Sequence, residues 1–328
     1  MLEFSPRNMR VWTRLGPAGA VNFAAMDLAQ HDERVLMMTA DLTYLTGLGK
    51  FIETYPDRFY NFGIAEQNML GAAAGLAKEG FIPFASSYAS FLTTRCLDQI
   101  RVNMSYMELP VKLLGLTAGG GTVAYGPTHM SVEDIAVMRA LPNITIFSPA
   151  DCTEIMKCMI AAAEINGPVY IRLTGLMSTI NTPMVYKEDY AFEAGKAVEL
   201  ESGKDICLIA TGSMTHIAIQ TAARLRQSGI SCSVLNMHTI KPVDAEAVDR
   251  ACAGHEMLVT LEEHSIIGGL GGAVGEHLSQ KRMHPLLLRI GIQDMFPLAG
   301  DYPYLMEQCG LTVDQVTEQI TRAWQAQE

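Results

Sequence analysis

Glu66, in "NFGIAEQNMLGAAAGLAKEG", is a lone acid at the mouth of a helix otherwise built from small and apolar residues. A carboxyl in a first turn is favourable merely because it faces the positive end of the helix dipole, but a carboxyl is also a group that can hold and exchange a proton. Asp41, in "TADLT", falls at the end of a strand, where α/β sites are built. Tyr88 and Phe91, in "SSYASFLTTR", carry flat rings at helical spacing, suited either to a core or to stacking on a flat ligand. His129, in "GPTHM", is a single histidine, by itself more often structural than catalytic.

Phosphate-binding glycine loops do not account for these residues. In "TAGGGTVAYGPTHM", Gly119, Gly121 and Ala124 fit G-x-G-x-x-A after a strand, but Gly126-Pro127 interrupts the helix that would carry its dipole to a pyrophosphate. In "GGLGGAVGEHL" the third glycine of that spacing would fall on Val274. A G-x-x-x-x-G-K-[ST] sequence is missing altogether.

The elements that must hold such residues are legible as short apolar runs alternating with helical patterns. "VLMMTADL", "FIPFASS", "VKLLGLTA", "NITIFSPA" and "PVYIRL" read as strands, with helices starting near Glu66, Phe91, Val132 and Asp151. Asp151 can cap its helix, and Glu154 stands three residues on, able to reach back. The pattern restarts with "ICLIATG", "SCSVLNMHTI", "MLVTLEEH" and "PLLLRIGI", with helices near 214–228, 244–253 and 269–280 between them. That alternation predicts an α/β fold: two doubly wound domains, 1–183 and 190–328, each with a mainly parallel sheet covered by helices. The polar, proline-containing stretch around 178–194 is the expected linker.

With 328 residues and 49% hydrophobic content the chain can fill two cores. A net charge of −11 would repel a phosphate backbone, so nucleic acid is not an expected partner. The N-terminus, "MLEFSPRNMRVWTRLG", lacks the apolar centre of a signal peptide and no run is long enough to span a bilayer, which leads to a soluble, cytoplasmic expectation. Seven scattered cysteines without C-x-x-C support neither a disulfide framework nor a metal site, and read as small buried hydrophobes.

Four segments occur in order: "YPDRFYNFGIAEQNMLGAAAGLAKEG", "SFLTTRCLDQIR", "GPTHMSVEDIAVMRALPNITIFSPAD", and "HTIKPVD" followed by "LEEHSIIGGLGGAVGE". Together they resemble the pyrimidine-binding and C-terminal domains of transketolase-like, thiamine diphosphate-dependent enzymes, over nearly the whole chain. The resemblance implies that Glu66 hydrogen-bonds N1′ of the cofactor's aminopyrimidine and thereby activates the thiazolium C2 carbon. It implies that Phe91 and Tyr88 pack on the pyrimidine, that Asp41 lies near the cofactor and a subunit interface, and that His129 binds and moves protons at substrate hydroxyls. The helix after Glu66, with Gly71, Ala72, Ala73, Ala74 and Gly75, corresponds to a region near a dimer interface, and His264 is assigned a structural or interfacial place.

The same resemblance implies a missing part. Typical members hold the diphosphate through Mg²⁺ or a similar divalent ion on a preceding domain bearing a G-D-G motif, which this sequence lacks. The expectation is therefore the C-terminal subunit of a split enzyme, active with an N-terminal partner subunit that supplies the metal site, as a homodimer within an α2β2 assembly. The transferred group would be a two-carbon ketol or acyl unit passing from a ketose-type donor to an aldehyde, in carbohydrate metabolism. Substrate positions depart from the usual pattern: Tyr125 stands for an aspartate, Thr117 for a histidine, Gly175 for an arginine and Leu45 for a serine, removing strong phosphate contacts. Either the substrate is not an ordinary phosphorylated sugar or Arg10, Arg14 or Arg95 binds it. Alternatives are the E1 β subunit of a 2-oxo acid dehydrogenase, a deoxyxylulose-phosphate-synthase-like enzyme, and a catalytically silent scaffold subunit.

Overall fold

A computed structural model describes residues 2–174 and 183–327; Gly175 and the first part of the expected linker, 178–182, lie outside them. Twelve strands form two sheets among the described residues. The strands are β1 (Val35–Thr39), β2 (Phe59–Asn61), β3 (Ile82–Tyr88), β4 (Lys112–Ala118), β5 (Thr145–Phe147), β6 (Val169–Thr174), β7 (Val198–Glu201), β8 (Ile206–Ala210), β9 (Cys232–Asn236), β10 (Thr239–Lys241), β11 (Met257–Ser265) and β12 (Leu286–Ile292). The first sheet runs β10-β5-β6-β4-β3-β1-β2 and the second β12-β11-β8-β9-β7. Strands β1 to β6 pair in parallel, and only β10 joins them antiparallel. The second sheet is likewise parallel except for β7, antiparallel to β9.

Both faces of the first sheet are covered, which explains why its strands read as continuous apolar runs. The Pro6–His31 helix and the Cys152–Glu164 helix fill one face through Met9, Trp12, Val21, Ile155 and Met159. The Glu66–Lys78 helix and the helical stretch beginning at Phe91 fill the other through Met69, Leu70, Leu92 and Ile100. That stretch is not an ordinary α-helix: Phe91–Arg95 and Ile100–Tyr106 wind in wide π-type turns, a form concentrated at functional sites.

Local expectations hold with shifts that have physical reasons. Asp151 caps the Cys152–Glu164 helix by accepting from the Glu154 N–H at 2.9 Å. Glu154 does reach back, but to the Ala150 N–H (2.6 Å), because its other oxygen is claimed by Tyr186 and Tyr190 hydroxyls at 3.0 and 2.6 Å. The described part of the linker is therefore a strap rather than a loose tether: Val185 and Tyr186 also donate their N–H groups to the second Asp151 oxygen. The run "SCSVLNMHTI" is not one strand, since β9 ends at Asn236 and β10 leaves for the edge of the first sheet. The helix expected near Val132 begins at Asp134. Of the seven cysteines, six are buried and Cys252 is half-buried, all as free thiols.

In the second sheet Glu262, fully buried, accepts N–H bonds from Leu270 (2.7 Å) and Gly271 (2.8 Å) at the start of the Leu270–Leu278 helix. Burial nevertheless pushes its carboxyl up to about 7, against the pull of those two N–H groups. A folded value above the ordinary 4.5 means that the stability it contributes is complete below that pH and is lost as pH rises through about 7. Glu262→Gln should flatten this part of the stability curve by up to about 1.4 kcal/mol per pH unit. Urea titrations of both proteins between pH 4.5 and 7.5 measure it, and parallel curves would refute the assignment.

Candidate active site

The first sheet changes winding direction between β1 and β3, because β2 lies to one side of β1 and β3, β4, β5 and β6 to the other. Ligands in open α/β sheets bind outside the carboxyl ends of the strands at such a point. Asp41 follows β1, Glu66 follows β2, Tyr88 ends β3 and Phe91 comes just after it, and Thr117 lies near the end of β4. Two of these residues carry backbone strain: Asp41 has φ 59° and Thr117 φ 54°, the latter costly for a β-branched side chain.

Glu66 occupies the first turn of its helix with a side chain only 3% exposed. Its charge is met by Arg95, whose Nη1 donates to Oε2 at 2.8 Å, while the Ser87 hydroxyl donates to Oε1 at 3.3 Å. The Arg95 guanidinium lies 4.0 Å from the centroid of the Phe91 ring. Phe91 meets Tyr88 edge-on at 5.4 Å, and both rings meet His129, at 5.1 and 5.4 Å. Tyr125, 64% exposed, covers His129 from outside with its ring 5.2 Å away. Glu66, Tyr88, Phe91, His129 and Tyr125 thus form one continuous wall joined through Arg95. Its field is felt by neighbours: burial first, then the Glu66 charge, pushes the Cys96 thiol up to about 12, and burial followed by Tyr125 raises the Tyr88 phenol.

The backbone around His129 is fixed from several sides. Its carbonyl accepts from Ser90 (3.2 Å), its Nδ1 shares a hydrogen bond with the Thr128 hydroxyl (3.0 Å), and its N–H donates to the Gly126 carbonyl (3.1 Å). The loop bearing it is anchored at its start by Glu263, which accepts from the Gly120 N–H at 2.7 Å, and by mutual backbone bonds between Gly119 and Ser131. Gly119 has φ +67°, and a Cβ there would collide with the Glu263 carboxylate. Asp41 stands at the carboxyl end of β1, held by Asn61, whose Oδ1 accepts from the N–H groups of Asp41 and Gly63, each at 3.0 Å. Thr117 is 1% exposed and donates to its neighbour's carbonyl (2.8 Å), so its hydroxyl is turned to the backbone.

The sequence offers Arg95 as an anion-binding candidate, whereas the structure commits it to Glu66; Arg10 and Arg14 are exposed on the Pro6–His31 helix, and Leu45 packs against the core beneath it. Ser87, Ser90 and Asn61 join the site without any motif that singles them out. The i, i+4 spacing of Phe91 and Arg95 is a signal for their stacking. His264 is fully buried beside Asp134 and Glu262, accepts from the Ala136 N–H at 3.3 Å, and is held neutral by burial that drives it to about 4. That is a structural place between the two sheets. Among the described residues no cluster of three His, Cys, Asp or Glu side chains could hold a metal ion, and no helix is long and apolar enough to cross a membrane.

Comparison with known proteins gives two family matches: transketolase, pyrimidine binding domain, over residues 18–177, and transketolase, C-terminal domain, over 195–316. The chain is 38% identical over 297 residues to a putative transketolase C-terminal section of Methanocaldococcus jannaschii, spanning 90% of this chain and 92% of that protein. It is 38% identical over 293 residues to a 6-deoxy-6-sulfo-D-fructose transketolase subunit of a Clostridium species, covering 89% of each. Among solved structures it matches one described as a split gene transketolase, inactive beta4 tetramer, with TM-score 0.85 and 38% identity over 95% of this chain and 98% of that one.

Proposed function

The chain belongs to the transketolase family as a split C-terminal subunit, and from that premise we propose that it acts with a separate N-terminal subunit to move a two-carbon ketol or acyl unit from a ketose-type donor to an aldehyde acceptor. The observation that carries this reading is the buried Glu66 carboxylate facing a flat, N–H-bearing group stacked on Phe91. The present occupant is a guanidinium, so the place offers the contacts that an aminopyrimidine would use, which supports thiamine diphosphate as the cofactor. When bound, that cofactor supplies a nucleophilic carbon and an electron sink for cleaving the bond beside a carbonyl.

The chain's own residues then divide the work. Glu66 holds the ring nitrogen and shares a proton with it, its low exposure strengthening that contact. Phe91 and Tyr88 hold the ring faces and keep water out. His129 carries protons at substrate hydroxyls, and Asp41, on the adjacent strand end, lines the cofactor side. Tyr125 belongs to the substrate side, where it offers a ring and a hydroxyl instead of a charge, a surface for a sugar-like substrate held without a strong anion clamp; Thr117, buried with its hydroxyl turned to the backbone, offers that side no polar group. The units 1–183 and 190–328 correspond to the pyrimidine-binding and C-terminal parts.

The partner subunit would hold Mg²⁺ and the diphosphate. The related split gene transketolase, solved as an inactive tetramer of β subunits, supports that division, and Gly71 and Gly75, with open space before them one turn apart, support a homodimer contact within an α2β2 enzyme. Calorimetry with thiamine diphosphate and Mg²⁺ tests it: the reconstituted pair should bind at least 100-fold more tightly than either subunit, a coupling of about 2.7 kcal/mol. Equal binding by this chain alone, or none by the pair, would remove the two-subunit reading.

A further inference from the structure

We infer that Arg95 is a place-holder for the cofactor ring: in the free subunit its guanidinium fills the space between Glu66 and Phe91 and must leave before an aminopyrimidine can seat. The inference rests on the reading of Glu66 and Phe91 proposed above, and goes beyond it by assigning a competitor built into the same chain.

Three observations converge. The guanidinium is planar, donates to Glu66 Oε2 at 2.8 Å and lies 4.0 Å from the Phe91 ring centroid, so it makes both contacts that a flat N–H-bearing ring would make. The side chain is 43% exposed although its partner Glu66 is 3% exposed. The cation therefore has a way out to water, while the carboxylate has none. Arg95 also stands at the end of the wide Phe91–Arg95 turn, with its carbonyl tethered by the Gln67 side chain at 2.9 Å. The backbone is held and the side chain alone can swing.

The physical need for such a group is the buried charge. A carboxylate at this depth without a partner is costly, and a subunit that waits for both cofactor and partner must satisfy it meanwhile. Arg95 does so with a contact that a ring nitrogen and its exocyclic amine can replace. The exchange lowers the apparent affinity by the fraction of time the guanidinium sits in place: occupancy of about nine-tenths weakens binding about tenfold.

The test uses the full-length chain and 4-amino-5-hydroxymethyl-2-methylpyrimidine as probe. Ligand-detected NMR should give about tenfold tighter binding to Arg95→Met than to wild type, and loss of binding in Glu66→Ala. In wild-type protein, an arginine-directed dicarbonyl reagent followed by peptide mass analysis should modify Arg95 several-fold faster when the pyrimidine is present, with other arginines unchanged. This second readout stands even if Arg95→Met folds poorly. Binding that depends on Glu66 but is unchanged or weaker in Arg95→Met, or slower labelling of Arg95 with the probe, overturns the place-holder and leaves the cofactor site intact. No binding by any of the proteins and no change in labelling overturns the inference, and calorimetry of the reconstituted pair with thiamine diphosphate then decides the cofactor reading separately.

Discussion

Glu66→Gln in the reconstituted enzyme should lower kcat by about 10²- to 10⁴-fold, the usual worth of a positioned proton-transfer group. Folding should barely change. Gln preserves the shape: its carbonyl oxygen can still accept from Arg95 while its amide N–H turns to the Ser87 hydroxyl oxygen, but it has no exchangeable carboxyl proton. The pair it weakens has one half-exposed member, Arg95, which water can solvate, so the stability cost stays within about 1 kcal/mol. The check is twofold: exchange of the bound cofactor's C2 hydrogen with D₂O, and thermal unfolding of the same samples. Slow exchange with an unchanged midpoint supports a chemical role. Undiminished exchange would sink that assignment, and a large fall in the midpoint would show Glu66 to be structural.

The apolar runs make most of this architecture legible, because strands covered on both faces need no polar alternation and "VKLLGLTA" or "ICLIATG" can be little else. What escapes are elements whose identity depends on neighbours. Strand β2, "FYN", is three residues long and largely exposed, so nothing apolar marks it. Strand β10 continues an apolar run yet crosses to the edge of the other sheet, and local patterning says nothing about which edge receives a strand. The same limit applies in the site. Glu66, Phe91, Tyr88 and His129 can be named from ordered motifs, and four of the wall's rings do meet. Arg95 reads in the sequence as a cation looking outward for an anion, since its partner lies 29 residues earlier. The wide turns over Phe91–Arg95 and Ile100–Tyr106 have no side-chain signature either.

The largest loss of stability should come from Arg172→Met, about 3–5 kcal/mol. Arg172 is 1% exposed and Asp134 0%, joined at 2.8 Å, and the same Asp134 oxygen accepts from the Tyr170 hydroxyl at 2.7 Å. Burial works against the Arg172 charge, yet Asp134 more than restores it and its proton is held more firmly than usual. Removing the guanidinium leaves a carboxylate in the interior with one neutral donor. Its other oxygen has no hydrogen-bond partner, and the nearest candidate cation, His264 at 4.0 Å, is kept neutral at pH 7 by burial that drives it to about 4. Arg172 also donates to the Glu263 carbonyl at 2.8 Å, and Glu263 in turn holds Gly120, Ser213 and Tyr302. The pair therefore ties the first sheet to the second at the root of the His129 loop, and kcat should fall together with stability. Combining Arg172→Met with Asp134→Leu separates the two effects: a dry, apolar pair should recover much of the stability, while the loop, still deprived of the Arg172 bond to Glu263, keeps the kinetic defect. Urea unfolding of the three variants beside wild type measures this, and a single-variant cost below about 1 kcal/mol would mean that water reaches Asp134 and that the two sheets are joined elsewhere.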